Sequence, residues 1–472
     1  MNENVRPADY LLAAHFLFCK NNGKRTIEVM KIRWITESMI KRIFTICFSI
    51  ICLLTFWTQN TMAGEFVMQT QMERNWMDTT GQFADFHRED LNLYARSAVL
   101  TDAATGRILY GKSADTPMAN ASTTKILTCL LAIESGKLSD TVPFSENACK
   151  MPEVKLGCGE ESQFILEDLL YSLMLESHND TAVALAEYLS GSVEAFAEKM
   201  NCRAAELGCC NTHFVSPNGL DATDSVGEHQ TTAYDLSLIM AACIRDETFL
   251  KITETASKTI QSLDGNFQKT LYNHNALLTM LKGTLSGKTG FTTKAGYCYV
   301  GAYCEEDRTY TFALLACGWP NHKGYKWEDS KKLITYAKER YHWKTWVQPS
   351  EMQQVTILNG VFPSTNRCRK NLFTDENSFA DVETISVGTD EFREKLLLSD
   401  TDEIAVEWKL PKNLPAPVKQ GLCVGERIIR LNGEPIFTQP AYALETVEKF
   451  DFAWCLRHVF YFAGNFSKFP VK

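Results

Sequence analysis

A serine stands three residues ahead of a lysine in Ser122-Thr123-Thr124-Lys125, and that spacing can make a nucleophile. A serine hydroxyl attacks poorly at neutral pH unless a base takes its proton. At a helix start, positions i and i+3 share one face, so Lys125 can reach the Ser122 hydroxyl. A lysine serves as that base only when burial or a neighbouring cation lowers its pKa. The helix N-terminus also directs backbone N–H groups toward a developing oxyanion. Taken alone the tetrapeptide is weak, because most such sequences are ordinary surface helix starts.

Two further clusters follow in order. Ser177-His178-Asn179 places a hydroxyl and an amide on one short stretch. Such a pair can pass a proton and hold a substrate amide. Its plainer reading is helix capping by Asn179 or Asp180. Lys288-Thr289-Gly290 offers a cation and a hydroxyl suited to a substrate carboxylate, and Gly290 permits close backbone approach.

The elements that must position these residues can be read from periodicity. Ser97 to Leu100 and Arg107 to Tyr110 flank Ala104-Thr105-Gly106 and predict an antiparallel hairpin. Lys125 to Glu134 predicts a helix stopped near Gly136. Glu167 to Glu176 and Thr181 to Tyr188 predict two helices broken at the second cluster. Val193, Phe196, Met200, Ala204 and Leu207 recur at helical spacing before Gly208. Tyr297 to Cys304 and Tyr310 to Cys317 read as strands joined by Glu305-Glu306-Asp307, and Ser330 to Tyr341 as a last helix. Lys288-Thr289-Gly290 falls just before strand-like residues, at a strand edge. Strands, then helices, then strands predict one α+β domain whose sheet joins both ends of the segment. After Pro349, short β-prone runs (Gln354 to Leu358, Ile404 to Trp408, Arg427 to Leu431) alternate with polar turns and predict a small all-β domain.

Together, the order and context of the clusters resemble the Ser-x-x-Lys, Ser-x-Asn and Lys-Thr-Gly set of the penicillin-recognising serine enzymes. Ser216-Pro217-Asn218-Gly219-Leu220-Asp221 with His229-Gln230-Thr231-Thr232-Ala233-Tyr234-Asp235, the run from Lys288 to Tyr297, and Ala416-Pro417-Val418 through Gly421 and Gly425 extend the likeness. Over Tyr94 to Val447 the chain resembles the D-alanyl-D-alanine carboxypeptidases among the low-molecular-mass penicillin-binding proteins. The resemblance implies a β-lactamase-like transpeptidase domain, an antiparallel sheet with a helical cluster, at 93–345. A small all-β domain at 346–440 and a membrane-associating segment at 441–472 would follow. It implies Ser122 as the acylated nucleophile, Lys125 as its base, Ser177 as a proton relay and Asn179 as the holder of substrate backbone. Lys288 and Thr289 would face the terminal carboxylate beside Gly290, and the N–H groups of Ser122 and Phe291 would form the oxyanion hole. The implied substrate is the peptidoglycan pentapeptide, β-lactam antibiotics would acylate the same serine, and no metal or cofactor is called for.

Two positions depart from the family pattern. His178 stands where relatives carry something small; a solvent-exposed side chain is its plain reading and acid/base work its functional one. Relatives use an arginine after the last strand to bind carboxylate, whereas this chain reads His322-Lys323-Gly324-Tyr325-Lys326. Lys323 or Lys326 would substitute, without the bidentate fork. Three other activities share part of the pattern. A transpeptidase or endopeptidase differs only in the acyl acceptor, and a catalytically idle wall-binding protein would not keep all three motifs. A class A β-lactamase needs a glutamate between motifs two and three, and Glu228 is the sole glutamate between Leu207 and Asp246.

The net charge of −9 argues against a nucleic-acid partner. Lys41 and Arg42, the apolar run Ile43 to Trp57 and Ala63 form a signal-peptide pattern within a leader at 1–63, with a polar linker at 64–92. Met39 is the expected start, and the mature protein is expected on the outer face of the cytoplasmic membrane. The chain has 16 cysteines, three of them before Ala63, with no zinc spacing; several sit in apolar runs and are read as small buried hydrophobes of a protein in a reducing or anaerobic exterior. Leu444 to Phe462 predicts an aromatic-rich helix that lies in a membrane interface or packs on the β domain.

Overall fold

The computed structural model describes residues 90–152, 154–362 and 382–465. The expected leader, signal peptide and Met39 start, and the linker up to residue 89, lie outside the described residues.

The first hairpin joins β1 (Ser97–Asp102) to β2 (Ile108–Lys112). Its turn closes because Gly106 takes φ +72° and Asp102 accepts at its carbonyl from Gly106 N and at its carboxylate from Thr105 Oγ1. Helices follow: α1 (Lys125–Glu134), α2 (Leu166–Tyr171), α3 (Asn179–Ser190), α4 (Val193–Glu206), α5 (Ala233–Cys243) and α6 (Glu247–Glu254). A second hairpin, β3 (Ser257–Gln261) with β4 (Gln268–Tyr272), precedes β5 (Thr284–Thr292), β6 (Gly296–Glu305), β7 (Arg308–Leu315) and α7 (Tyr325–Arg340). The main sheet is antiparallel in the order β2-β1-β7-β6-β5, so β1 does pair with the strand that arrives last, Ser97 opposite Leu315. This is the α+β arrangement the element order predicts.

Side chains alternate across that sheet. Val99, Ala313 and Leu315 enter the core shared with α1 to α5, while Ala98, Leu100 and Leu314 enter the core under α7. Both faces are therefore covered, which is why β6 and β7 read as continuous apolar runs. The same burial explains the miss at α5. Ala233 to Met240 are buried on every side, so the sequence shows no apolar stripe.

Other boundaries moved for local reasons. Ser172–Glu176 is a π-helical turn that ends α2 early, with Ser177 left-handed after it. The helix expected from Ser330 begins at Tyr325, within the loop that follows β7. Lys288-Thr289-Gly290 lies inside β5 rather than before a strand, and β5 is the edge of the sheet.

The C-terminal β module contains β8 (His342–Gln348), β9 (Met352–Leu358), β10 (Val382–Gly388), β11 (Phe392–Leu398), β12 (Ile404–Lys409), β13 (Asn413–Pro415), β14 (Cys423–Leu431) and β15 (Glu434–Ala443). Six of them form a sheet ordered β12-β14-β15-β10-β9-β13, and β8 pairs with β11 as a ribbon. The final helix, α8, spans Phe452–Asn465, eight residues later than the expected start at Leu444. Val447 N donates to Val418 O and Phe450 N to Asn359 O, so pairing with the β module claims that stretch before a helix can. Trp454 is buried and its ring lies tilted against Phe450, with ring centroids 5.5 Å apart. Phe452, Leu456, Val459 and Phe460 are exposed. Among the described residues no helix is long and apolar enough to cross a membrane, and Cys129, Cys243 and Cys317, in apolar runs of the sequence, are buried free thiols.

Candidate active site

Ser122 sits in a single 3₁₀ turn, Ala121–Thr124, that runs straight into α1. The turn is held from both sides. Asn120 Nδ2 donates to Thr123 Oγ1 and Thr124 Oγ1, and Thr124 Oγ1 donates to Ala121 O. Ala121 has φ +50°, a left-handed conformation that costs an alanine about 1 kcal/mol and persists only where its surroundings impose it. Gly219 is one such surrounding element. A Cβ there would lie 2.0 Å from Ala121 O, so only glycine lets the segment Ser216 to Asp221 cover the turn.

Lys125 is fully buried, and its Nζ lies 2.8 Å from Ser122 Oγ, 2.9 Å from Asn179 Oδ1 and 2.8 Å from Asn218 O. Burial, with the charge of Lys288 added, pushes its pKa well below the ordinary lysine value, against a smaller opposing pull from Asp180. A neutral amine has two N–H donors and one lone pair. The two carbonyl-type oxygens take the donors, and the lone pair is then free to accept the Ser122 proton.

Asn179 opens α3 and is buried; besides accepting from Lys125, its Nδ2 donates to Pro152 O. Asp180, in the first turn of α3, does satisfy a helix-end amide, Thr181 N, and its carboxylate also accepts from Leu156 N and Gly157 N, so it ties down the loop beside the site. Ser177 is held at φ +67°, and its Oγ is buried without a hydrogen-bond partner among the described residues. His178 is not solvent-exposed. It is 1% accessible, its Nδ1 lies 2.8 Å from Ser172 Oγ, and its Nε2 faces Lys269 and Glu176 rather than Ser122. Burial and then the Lys269 cation push its pKa down to about 3, so the ring is neutral at physiological pH.

Strand β5 closes the other wall. Lys288 is 2% exposed, and burial lowers its pKa to about 7. Its Nζ donates to Thr289 O, and Thr289 is half-buried. At Gly290 a Cβ would lie 2.9 Å from Ser122 N and 3.0 Å from Asn120 O, so the absent side chain is what lets the strand reach the backbone of the serine. Phe291 is 41% exposed beside Tyr297. Of the two lysines after the last strand, Lys326 is buried, donates to Lys323 O and lies over the Tyr297 and Trp327 rings, whereas Lys323 is exposed. Glu228 is exposed and accepts from Lys294 Nζ.

Sequence reasoning missed several members of this constellation. Asn218 contributes its carbonyl and Gly219 its lack of a side chain, and neither role has a residue-type signature. His229 is buried beneath the nucleophile turn. Its Nδ1 accepts from Val215 N and Ser216 N, which leaves Nε2–H to donate to Thr124 Oγ1.

A family model described as D-alanyl-D-alanine carboxypeptidase matches residues 84–315, and one described as penicillin-binding protein 5, C-terminal domain, matches residues 394–449. The carboxypeptidase DacF of Bacillus subtilis (strain 168) is 29% identical over 383 residues, 79% of this chain and 90% of its own. DacB2 of Mycobacterium tuberculosis is 32% identical over 225 residues, 47% of this chain and 74% of its own. The crystal structure of penicillin binding protein 5 from Haemophilus influenzae superposes with a TM-score of 0.54 at 26% identity, covering 76% of this chain and 98% of that one. The chain belongs to the D-alanyl-D-alanine carboxypeptidases of the low-molecular-mass penicillin-binding proteins.

Proposed function

We propose that this serine D-Ala-D-Ala carboxypeptidase hydrolyses the terminal D-alanine of peptidoglycan stem peptides through an acyl-enzyme on Ser122. The reading rests most on one observation, the buried Lys125 Nζ 2.8 Å from Ser122 Oγ. Lys125 takes the hydroxyl proton as Oγ attacks the carbonyl carbon of the D-Ala–D-Ala bond. The resulting oxyanion is held by the N–H groups of Ser122 and Phe291. The proton passes by way of Ser177 to the leaving D-alanine nitrogen. Asn179 holds the substrate amide, and Lys288 with Thr289 faces the terminal carboxylate. Water then hydrolyses the ester and restores the Ser122 hydroxyl. Penicillin enters the same path and stops at the ester.

The mature enzyme works outside the cytoplasmic membrane, as the basic pair, apolar run and Ala63 support. Helix α8 holds it to the membrane surface. Phe452, Leu456, Val459 and Phe460 recur at helical spacing and stay exposed while Trp454 anchors the opposite side on the β module. The enzyme reading is tested by mass spectrometry of the penicilloyl adduct, which should fall on the peptide containing Ser122 and vanish in Ser122→Ala. A mass shift on another peptide would overturn it. Product analysis with a D-Ala-D-Ala peptide, giving free D-alanine and no transfer product, separates hydrolysis from transpeptidation.

A further inference from the structure

Ser177 is gripped through both of its sequence neighbours. Glu176 Oε1 accepts from Tyr272 N at 3.0 Å, at the end of β4. His178 Nε2 lies 3.2 Å from Lys269 Nζ, also on β4, and 3.2 Å from Glu176 Oε2. Lys269 reaches further, to Leu156 O at 3.3 Å and Lys155 O at 3.5 Å, in the loop that Asp180 ties down and that accepts from Asn179. On the other side of the ring, His178 Nδ1 meets Ser172 Oγ, which also meets Thr181 Oγ1, and His178 N donates to Ser172 O. A hairpin far from the motif in sequence therefore touches the residues before and after Ser177 and the loop behind Asn179.

We propose that Lys269, His178 and Glu176 are positioning residues that clamp the left-handed Ser177 turn and the Asn179 loop to the β3–β4 hairpin. The inference rests on the catalytic roles given above to Ser177 and Asn179. A left-handed serine after a π-helical turn is a conformation the chain does not hold unaided. With a small residue at position 178 the hairpin would have nothing to grip there, so the histidine supplies a fixed link. Lysine can only donate, so in the clamp His178 Nε2 accepts from Lys269 and the ring is the Nδ1–H tautomer, donating to Ser172 Oγ; an Nε2–H would instead donate to Glu176 Oε2, at the same 3.2 Å. The titratable groups around this ring are Lys269 from β4, Glu176 from the π turn, Lys125 from α1, Lys288 from β5 and His274 after β4. A proton on Nε2 would repel Lys269 and turn the ring toward Glu176, opening the clamp.

Three measurements on the full mature enzyme test this. In wild type, ¹⁵N NMR of the histidine rings at pH 6, with His178 assigned by comparison with His178→Gln, should show neutral Nδ1–H; an Nε2–H tautomer or a charged ring overturns the clamp. Penicillin acylation of Lys269→Met should slow about tenfold, with its acid limb moved to higher pH, because removing the cation lets His178 take a proton. His178→Gln, whose amide oxygen can still accept from Lys269, should recover most of the rate, and in the Lys269→Met background it should abolish the shift of the acid limb. Unchanged rates and pH profiles in Lys269→Met would overturn the proposal. If wild type itself fails to acylate at Ser122, the enzyme reading falls instead, while the NMR result still decides the clamp.

Discussion

Lys125 has three oxygen atoms within hydrogen-bond reach and no access to solvent, and that environment decides its protonation state. In the proposed mechanism nucleophile and base act as one unit, so Lys125→Ala should abolish penicillin acylation as completely as Ser122→Ala, and the double variant should be no worse. Lys125→Arg should be equally inactive, because a guanidinium does not give up its proton. Rapid-quench acylation assays check both. Lys288 carries a different expectation. With a folded-state pKa of about 7, it is a cation below that pH and loses its charge as pH rises through it. In its proposed role Lys288 faces the substrate carboxylate, which favours the charged form, so the loss should appear in KM rather than kcat. For a D-Ala-D-Ala peptide, KM should climb above pH 7, by up to about tenfold per unit. Lys288→Met should begin with a high KM and show no such limb.

The nucleophile turn, the 216–221 segment and β5 meet with almost no spare room. Gly219 and Gly290 are the two points of closest approach, and they should respond differently to the same substitution. Gly219→Ala combines a positive φ with a Cβ 2.0 Å from a backbone oxygen, which no rotamer can relieve. It should cost about 3 kcal/mol or more in stability and slow acylation as well. Gly290→Ala meets Ser122 N at 2.9 Å in a strand that can shift outward at the sheet edge. Its melting temperature should change less, but its acylation rate should fall further, because the displaced atoms belong to the reacting centre. Thermal melts and acylation kinetics on the two variants separate the effects.

The catalytic and β modules are joined by a buried ion pair. Arg107, beside the β1–β2 turn, donates to Leu397 O and to Asp402 Oδ2, both at 2.6 Å, with side-chain exposures of 8% and 1% for the two charged residues. Removing one partner strands a buried charge, so Arg107→Ala should cost about 3 kcal/mol or more, with the β module loosened first; hydrogen exchange across β11 and β12 reads this directly. The whole fold also responds to acid through its neutral histidines. His178 and His229 are both depressed from 6.5 to about 3 by burial. The unfolded chain binds their protons and the folded one does not, so stability is full above pH 6.5 and declines as pH falls toward 3. Each histidine contributes a slope of about 1.4 kcal/mol per pH unit within that window. His229→Gln should make the denaturant midpoint less sensitive to pH between 6 and 4. At the same scale, removing residues 452–472 should release the enzyme from membranes in fractionation; equal partitioning of both forms would mean that α8 serves the β module alone.

The sequence alone determined what depends on neighbours along the chain. Ser122 and Lys125 share a face because helical geometry puts i and i+3 together. The Gly106 turn follows from local side-chain chemistry, and β6 and β7 are legible because both of their faces are buried. The ordered set of motifs carried the family, and the order of strands and helices the α+β class. Tertiary structure decided whatever depends on segments far apart in sequence. Nothing in the composition of α5 distinguishes a helix buried on all sides from a strand. Asn218 serves through a carbonyl that every residue possesses, brought to Lys125 across 93 positions. His178 looked like a surface side chain because Lys269, which packs over its ring, lies on a hairpin some ninety residues away with no apolar pattern strong enough to announce it. Lys125 shows the division most plainly: the spacing nominates it as a base, but only enclosure by Asn179, Asn218 and the Lys288 strand makes it a lysine that can accept a proton.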